Sequence, residues 1–589
     1  MHLALVRENG TSLVYVNGVP HSFPGNSSAP PTPTSLNISQ ANGTSLHLLD
    51  GARVFTFTGA FNPSDLLYQT TTSTTTSTTT LGTSTTSTTT TSTTTTSSTT
   101  TAPAPGVQLG WYVSPGGNWN SSANWGAGGA VPPAGPPTIA NNAFIGMASW
   151  GGYSKNDNSV VIDTAAACAT LYVGFGGNTA NNLLTIEPGG SLNMASQLRM
   201  PENSGANNRI VQNAGIVETH GDVYISLGDT ATYTLNGGSL LSHGGSIYDG
   251  FSYAGTLTQA AGTTVDTSTT PGNPAGGGGH FSVGWSPAAG NCVYNFNGGV
   301  LLVGGHVYQR VNAGYTSTVT QGEGTEMRVN GDFYGCGFQG PGIWTQNGGT
   351  NTITGQFRPG EAGGAGTYNL NNGVLQLNHG NNHLSVGGGG ATVNQAGGTV
   401  NIPNGFLNVS LNAGGVYNLS GGTLNVATLD RNNGGGIFSF TGGKLSATTI
   451  NFDLTNAGGT LAPGLANGIG HTTINGTYTV SSASATLQAQ LSGTGQGTTY
   501  DWLSASGAIS LNGNLSVPLV SFTPGGGDSF TIVSGASVIG TFANAPVSGN
   551  RYDLGGGSFI VTYNPGSVVL GGYEALAPPL PANTVIQFK

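Results

Sequence analysis

A glycine recurs three positions after an apolar or glutamine residue eleven times along this chain, and the intervals keep one register. The anchors are Ile186, Gln212, Leu235, Gln259, Phe296, Gln321, Gln346, Leu370, Gln395, Leu419 and Phe440. Their partners are Gly189, Gly215, Gly238, Gly262, Gly299, Gly324, Gly349, Gly373, Gly398, Gly422 and Gly443. Successive anchors stand 26, 23, 24, 37, 25, 25, 24, 25, 24 and 21 residues apart. Isolated matches arise by chance in a chain with 101 glycines among 589 residues, but a series in register does not. A period near 24 with several short strands per repeat predicts one coil of an all-β, right-handed parallel β-helix. Each coil stacks on the last at about 4.8 Å, so eleven coils span roughly 50 Å. The glycine belongs where the chain turns between sheets with φ > 0, and the Asn beside it in Leu235-Asn236-Gly237-Gly238 tolerates the same region. The 37-residue interval holds Pro271 to Gly279, so about a dozen residues loop out of one coil.

Charge is scarce, with 12 Lys and Arg against 22 Asp and Glu and a formal net charge of -10. A helical protein needs many more Lys, Glu and Arg to solvate its helices, and each Gly costs a helix interior roughly 1 kcal/mol. Nucleic acid is excluded as a partner, because phosphate neutralisation takes clustered Lys and Arg and only Lys155, Lys444 and Lys589 supply lysine. Collagen is excluded because the glycines follow no three-residue period. Cys168, Cys292 and Cys336 are too few and too scattered for a disulfide framework or a zinc site, and we read them as buried thiols. No run of 18 apolar residues is present, so no direct membrane span is expected.

The sharpest boundary is Thr70 to Thr101, where every residue is Thr or Ser except Leu81 and Gly82. No apolar face can be buried by such a run, so residues 70–106 form a linker. Its hydroxyl density resembles an O-glycosylated mucin-like stalk, with Thr70, Thr71, Thr72, Thr74, Thr75 and Thr76 as the first acceptors; an unmodified tether is the alternative. Residues 1–69 alternate in the manner of strands, as in Leu13-Val14-Tyr15-Val16-Asn17-Gly18. Together with His2 to Arg7 and Gly59 to Leu67, they resemble the second half of a laminin-G-like (concanavalin A-like) jelly roll. That resemblance implies an adhesion or glycan-binding module. The missing first half, and an N-terminus without a secretion signal, lead us to expect that the chain is a fragment or that Met1 is not the natural start.

Beyond the linker the architecture resembles autotransporter passenger-like β-helix proteins of bacterial surfaces, those with short autotransporter-associated strand repeats. Trp111, Gly117-Asn118-Trp119-Asn120 and Asn124-Trp125-Gly126 look like their Trp-rich opening, assigned here to residues 107–170 ahead of the repeats at 171–469. Gly459 to Gly464, Tyr500-Asp501-Trp502-Leu503, Leu511-Asn512-Gly513 and Gly540-Thr541-Phe542 resemble their closing region, which we assign to 470–572 before a tail at 573–589. The chain departs from the family in that no membrane β-barrel follows Gly571. The resemblance implies an extracellular or cell-surface protein. A β-helix also exposes strand edges at its ends, so head-to-tail self-association is expected if either cap is permissive.

About eleven residues after the first eight anchors, the loop after Gln259 apart, lies a second column of triplets. They are Gln197-Leu198-Arg199, Asp222-Val223-Tyr224, Ser246-Ile247-Tyr248, His280-Phe281-Ser282, His306-Val307-Tyr308, Asp332-Phe333-Tyr334, Gln356-Phe357-Arg358 and His383-Leu384-Ser385. Alternation along a strand sends the middle residue into the core and both flanks to solvent. One face would then present Tyr224, Tyr248, His306, Tyr308, Asp332, Tyr334 and Arg358, a set suited to polysaccharides or host and cell-surface glycans. Sugar CH faces stack on rings, and hydroxyls pair with Asp and His. The competing reading is an aromatic ladder that only stabilises the sheet, worth roughly 0.2–1 kcal/mol per pair.

A third reading is catalytic, since polysaccharide lyases and glycosidases also use this fold and need paired carboxylates or an acidic Ca²⁺ site. The densest cluster is Glu323, Glu326, Arg328 and Asp332, yet Asp332 is expected between His306 and Gln356 without a second carboxylate in its column. No calcium nonapeptide, HExxH or P-loop occurs. The expectation is a secreted, non-enzymatic surface or matrix protein without cofactor or metal. A polysaccharide-processing enzyme and a ligand-free fibre subunit are the alternatives.

Overall fold

The computed structural model describes residues 3–8, 11–16 and 19–21 and, apart from a few short breaks, residues 103–576. The chain divides into two units, Met1–Thr96 and Ser97–Lys589. In the first, strands Leu3–Glu8, Thr11–Val16 and Val19–His21 form an antiparallel meander in which Leu3 pairs with Val16 and Val16 with Val19. The rest of the jelly-roll expectation for residues 1–69 lies outside the described residues. So do residues 70–102, with Thr70, Thr71, Thr72, Thr74, Thr75 and Thr76.

The second unit is a right-handed parallel β-solenoid of about 15 turns with almost no helix. One coil shows how the sequence makes it. Strand Ser317–Gln321 alternates buried Ser317, Val319 and Gln321 with outward Thr318 and Thr320. Gly324, at φ +68°, turns the chain into Thr325–Val329, and Gly331 precedes the short strand Phe333–Tyr334. The chain then returns as Gly342–Gln346 directly above the start, with Ser317 paired to Gly342 and Gln321 to Gln346.

Every one of the ten successive anchor pairs is in direct register, from Ile186 with Gln212 to Leu419 with Phe440. All eleven partner glycines have φ between +61° and +94°, the left-handed region that L side chains avoid. The core between the sheets is apolar, with glutamines 212, 259, 321, 346 and 395 fully enclosed in it. The three cysteines are buried and unpaired. The long interval forms an exposed antiparallel hairpin, Ser268–Thr270 with Asn273–Gly278. The chain then rejoins the stack at Phe281–Val283, between Ile247–Asp249 and Val307–Gln309.

Antiparallel pairs end the parallel stacking. At one end Trp125–Ala127 runs against Gln108–Trp111, and Trp111, Trp119 and Trp125 pack edge to face with no exposed surface. At the other, Ser567–Ala575 pairs antiparallel with Ser529–Ser534 and with Gly557–Asn564. Unpaired strand edges template further pairing, and reversed strands interrupt that template.

Candidate functional site

The triplet column forms one sheet of the solenoid. Its middle residues Leu198, Val223, Ile247, Phe281, Val307, Phe333, Phe357 and Leu384 have no exposed surface, as strand alternation requires.

In the five coils from Asp222 to Asp332, the residue before the middle position is committed to the coil above. The Asp222 carboxylate accepts the Ser246 amide at 2.7 Å, and the Ser246 hydroxyl accepts the His280 amide at 2.9 Å. Nδ1 of His280 accepts the His306 amide at 2.9 Å, and Nδ1 of His306 accepts the Asp332 amide at 2.7 Å. Asp332 in turn accepts the Gln356 amide at 2.7 Å. Each side chain therefore fills a hydrogen-bonding need of the next backbone, and both imidazoles must carry their neutral-form proton on Nε2. Burial, reinforced by the neighbouring His306, holds His280 below the usual histidine range.

The residue after each middle position builds a stack of rings and guanidinium groups. Phe144 and Tyr172 are stacked at 4.5 Å, Tyr224 and Tyr248 at 5.3 Å, and Tyr308 and Tyr334 at 5.2 Å. Arg199 lies between Tyr172 and Tyr224, 6.0 and 5.6 Å from their ring centres, and Arg358 lies 6.0 Å from Tyr334. Ser282 breaks the series of rings. There Trp285 closes the gap, 5.3 Å from Tyr248 and 5.1 Å from Tyr308.

This arrangement departs from the sequence expectation in one respect. Tyr248 is only 9% exposed and Ser282 not at all, although both should face solvent. The reason is a second tier of aromatic residues at or just past the strand ends. Phe175 packs edge-on against Phe144 and Tyr172, and Phe251 against Tyr224 and Tyr248. Phe338 covers Tyr308 and Tyr334. These rings, together with Trp285 and Arg310, are what the sequence reading missed. A signal existed, since an aromatic residue follows three or four positions after Tyr172, Tyr248, Ser282 and Tyr334.

Tyr224, Tyr308 and Tyr334 remain half-buried on the surface. The hydroxyls of Tyr224 and Tyr334 each donate at 2.8 Å to the aspartate two residues earlier. Burial first, and those carboxylates second, push both phenols far above their usual range, so they stay protonated donors. Asp332 thus spends one oxygen on the Gln356 amide and the other on Tyr334. Arg358 donates to Gln356 at 2.5 Å and lies 3.5 Å from Glu361. Glu326 and Arg328 pair with each other at 2.6 Å on a different strand, and no ion pair or hydrogen bond joins them to Asp332 among the described residues. The charges that cluster in sequence therefore do not converge. No group of three His, Cys, Asp or Glu side chains is placed to hold a metal ion among the described residues.

Comparison of the chain with protein-family models, with curated proteins and with solved structures gives no match to any of them. No helix among the described residues is long and apolar enough to cross a membrane.

Proposed function

We propose that this chain is a secreted, non-catalytic adhesion or matrix protein of a bacterial surface, and that it holds glycans along the ringed face of its solenoid. The observation that carries this reading is the run of rings and guanidinium groups from Tyr172 to Arg358, stacked coil upon coil. Such a surface suits an extended saccharide, because sugar CH faces pack on aromatic rings while hydroxyls take the flanking donors and acceptors. Hydrolysis would require two carboxylates about 5–9.5 Å apart with an oxygen free to act. Asp222 and Asp332 instead spend their oxygens on a tyrosine and on the next coil. The likeness of repeats and Trp-rich opening to autotransporter passengers, and of the N-terminal segment to a laminin-G module, supports an extracellular setting.

The test is binding of the full chain to arrayed polysaccharides, alongside a Trp285→Ala/Phe338→Ala variant whose fold is checked by its β-sheet circular dichroism. Binding by the parent and its loss in the folded variant support the reading. Unchanged binding in the variant, or shortening of the polymer during incubation, contradicts it.

A further inference from the structure

The ringed face is not uniform along its length. On either side of its middle, a tyrosine hydroxyl is taken up by an aspartate of the same coil, Tyr224 donating to Asp222 and Tyr334 to Asp332. Of the three coils between them, the first has Ser246 at the corresponding position and the other two have histidine, His280 and His306. Both use Nδ1 as the acceptor of a backbone amide, which leaves Nε2–H as a donor. The two imidazoles are stacked 5.1 Å apart, and Trp285 lies beside His280 at 6.4 Å.

The three arginines of this face differ in the same way. Arg199 is paired with Glu202 at 2.6 Å and Arg358 with Glu361 at 3.5 Å. Arg310 has no carboxylate within ion-pairing distance among the described residues. Its guanidinium rests between two rings, 5.6 Å from the centre of Trp285 and 5.9 Å from that of Phe338. A guanidinium seated beside aromatic rings still presents its N–H groups as a planar fork, the geometry that meets carboxylate or sulfate oxygens in pairs.

We propose that the segment formed by His280, Trp285, His306, Tyr308 and Arg310 recognises an anionic sugar, with the ring packed at Trp285 and a carboxylate or sulfate oxygen pair on Arg310. This rests on the glycan-binding reading above. The chain's net charge of -10 opposes an anionic polymer at long range. That repulsion is screened over about 8 Å at physiological ionic strength, so the unpaired cation decides at contact.

Binding of the full chain to polygalacturonate, dextran sulfate and neutral dextran, compared with an Arg310→Gln variant, tests the proposal. The expected result is tighter binding of one or both anionic polymers than of dextran, reduced about tenfold or more in Arg310→Gln, as for loss of a charge-assisted hydrogen-bonded pair. Preference for polygalacturonate assigns a uronate carboxylate, and preference for dextran sulfate assigns a sulfate ester. Dextran bound as tightly as the anionic polymers, or anionic binding unchanged in Arg310→Gln, overturns this inference while leaving glycan binding intact. Absence of binding to every polymer, here and on the arrays, overturns both.

Discussion

The hydroxyl of Tyr233 donates at 2.6 Å to Oε1 of Gln212 in the coil below, with both side chains fully buried. The same relationship recurs wherever the repeat anchor is glutamine. Tyr294 donates to Gln259, Trp344 to Gln321, Tyr368 to Gln346 and Tyr417 to Gln395. Each donor stands two residues before the next anchor. After the apolar anchors Ile186, Leu235, Phe296, Leu370 and Leu419, that position holds Ile210, Leu257, Val319, Val393 and Phe438, none of which has a side-chain donor. Tyr233→Phe should therefore cost about 1–3 kcal/mol, the penalty for a buried acceptor left without its partner. The Gln212→Leu/Tyr233→Phe double variant should recover most of that loss, because it restores the apolar pairing of the neighbouring coils. Denaturant midpoints of the three proteins check this, and additive losses would contradict it.

The eleven repeat glycines share a positive φ but not their surroundings. At Gly324, φ +68°, an added Cβ meets nothing within 4 Å, so Gly324→Ala should cost only left-handed strain, roughly 1–2 kcal/mol. At Gly349, φ +71°, the same atom would collide with the hydroxyl and carbonyl oxygens of Thr325 in the coil below. Gly349→Ala should be clearly more damaging in the same thermal unfolding measurement, and equal losses would show that φ alone selects glycine here.

Asp249 sits in an inward column between Ile225 and Val283 and has no exposed surface. Neither carboxylate oxygen has a hydrogen-bond partner of ordinary geometry. Burial pushes the carboxyl well above its usual range, an effect only partly offset by the Leu257 backbone amide. The folded state therefore holds this proton more tightly than the unfolded chain does. Its contribution to stability is complete below the unfolded value of 3.8 and is lost as pH rises through the folded one. Asp249→Val should stabilise the protein, and more at pH 8 than at pH 4. Denaturant midpoints at the two pH values measure the difference, and a gain independent of pH would contradict the protonated, buried state.

The coil was legible because two requirements coincide at one place in each repeat. A turn with positive φ demands glycine, and parallel stacking demands that the residue three before it pair with its own equivalent. The triplet column was legible for a similar reason, since an inward Phe281 or Val307 forces alternation on its neighbours. What alternation could not show is the second tier. Phe251, Trp285 and Phe338 lie past the strand ends, where the two-residue period stops, and they fold back over Tyr248 and Tyr308. The sequence likewise grouped Glu326, Arg328 and Asp332 by proximity along the chain. A turn between strands sends them to different sheets, where each finds its own partner.

The most direct test of the account is the distance between Thr232 and Thr392, both on the outward side of one sheet. They are connected in register through Thr256, Val293, Thr318, Ile343 and Thr367. Nitroxide labels on Thr232→Cys and Thr392→Cys, with the native cysteines buried, can be measured by pulsed electron paramagnetic resonance. Six inter-coil steps predict a narrow distribution centred at roughly 29 Å between the labelled backbones. A broad distribution, or one centred well beyond that length, would contradict a single continuous stack and with it the ringed face that depends on it.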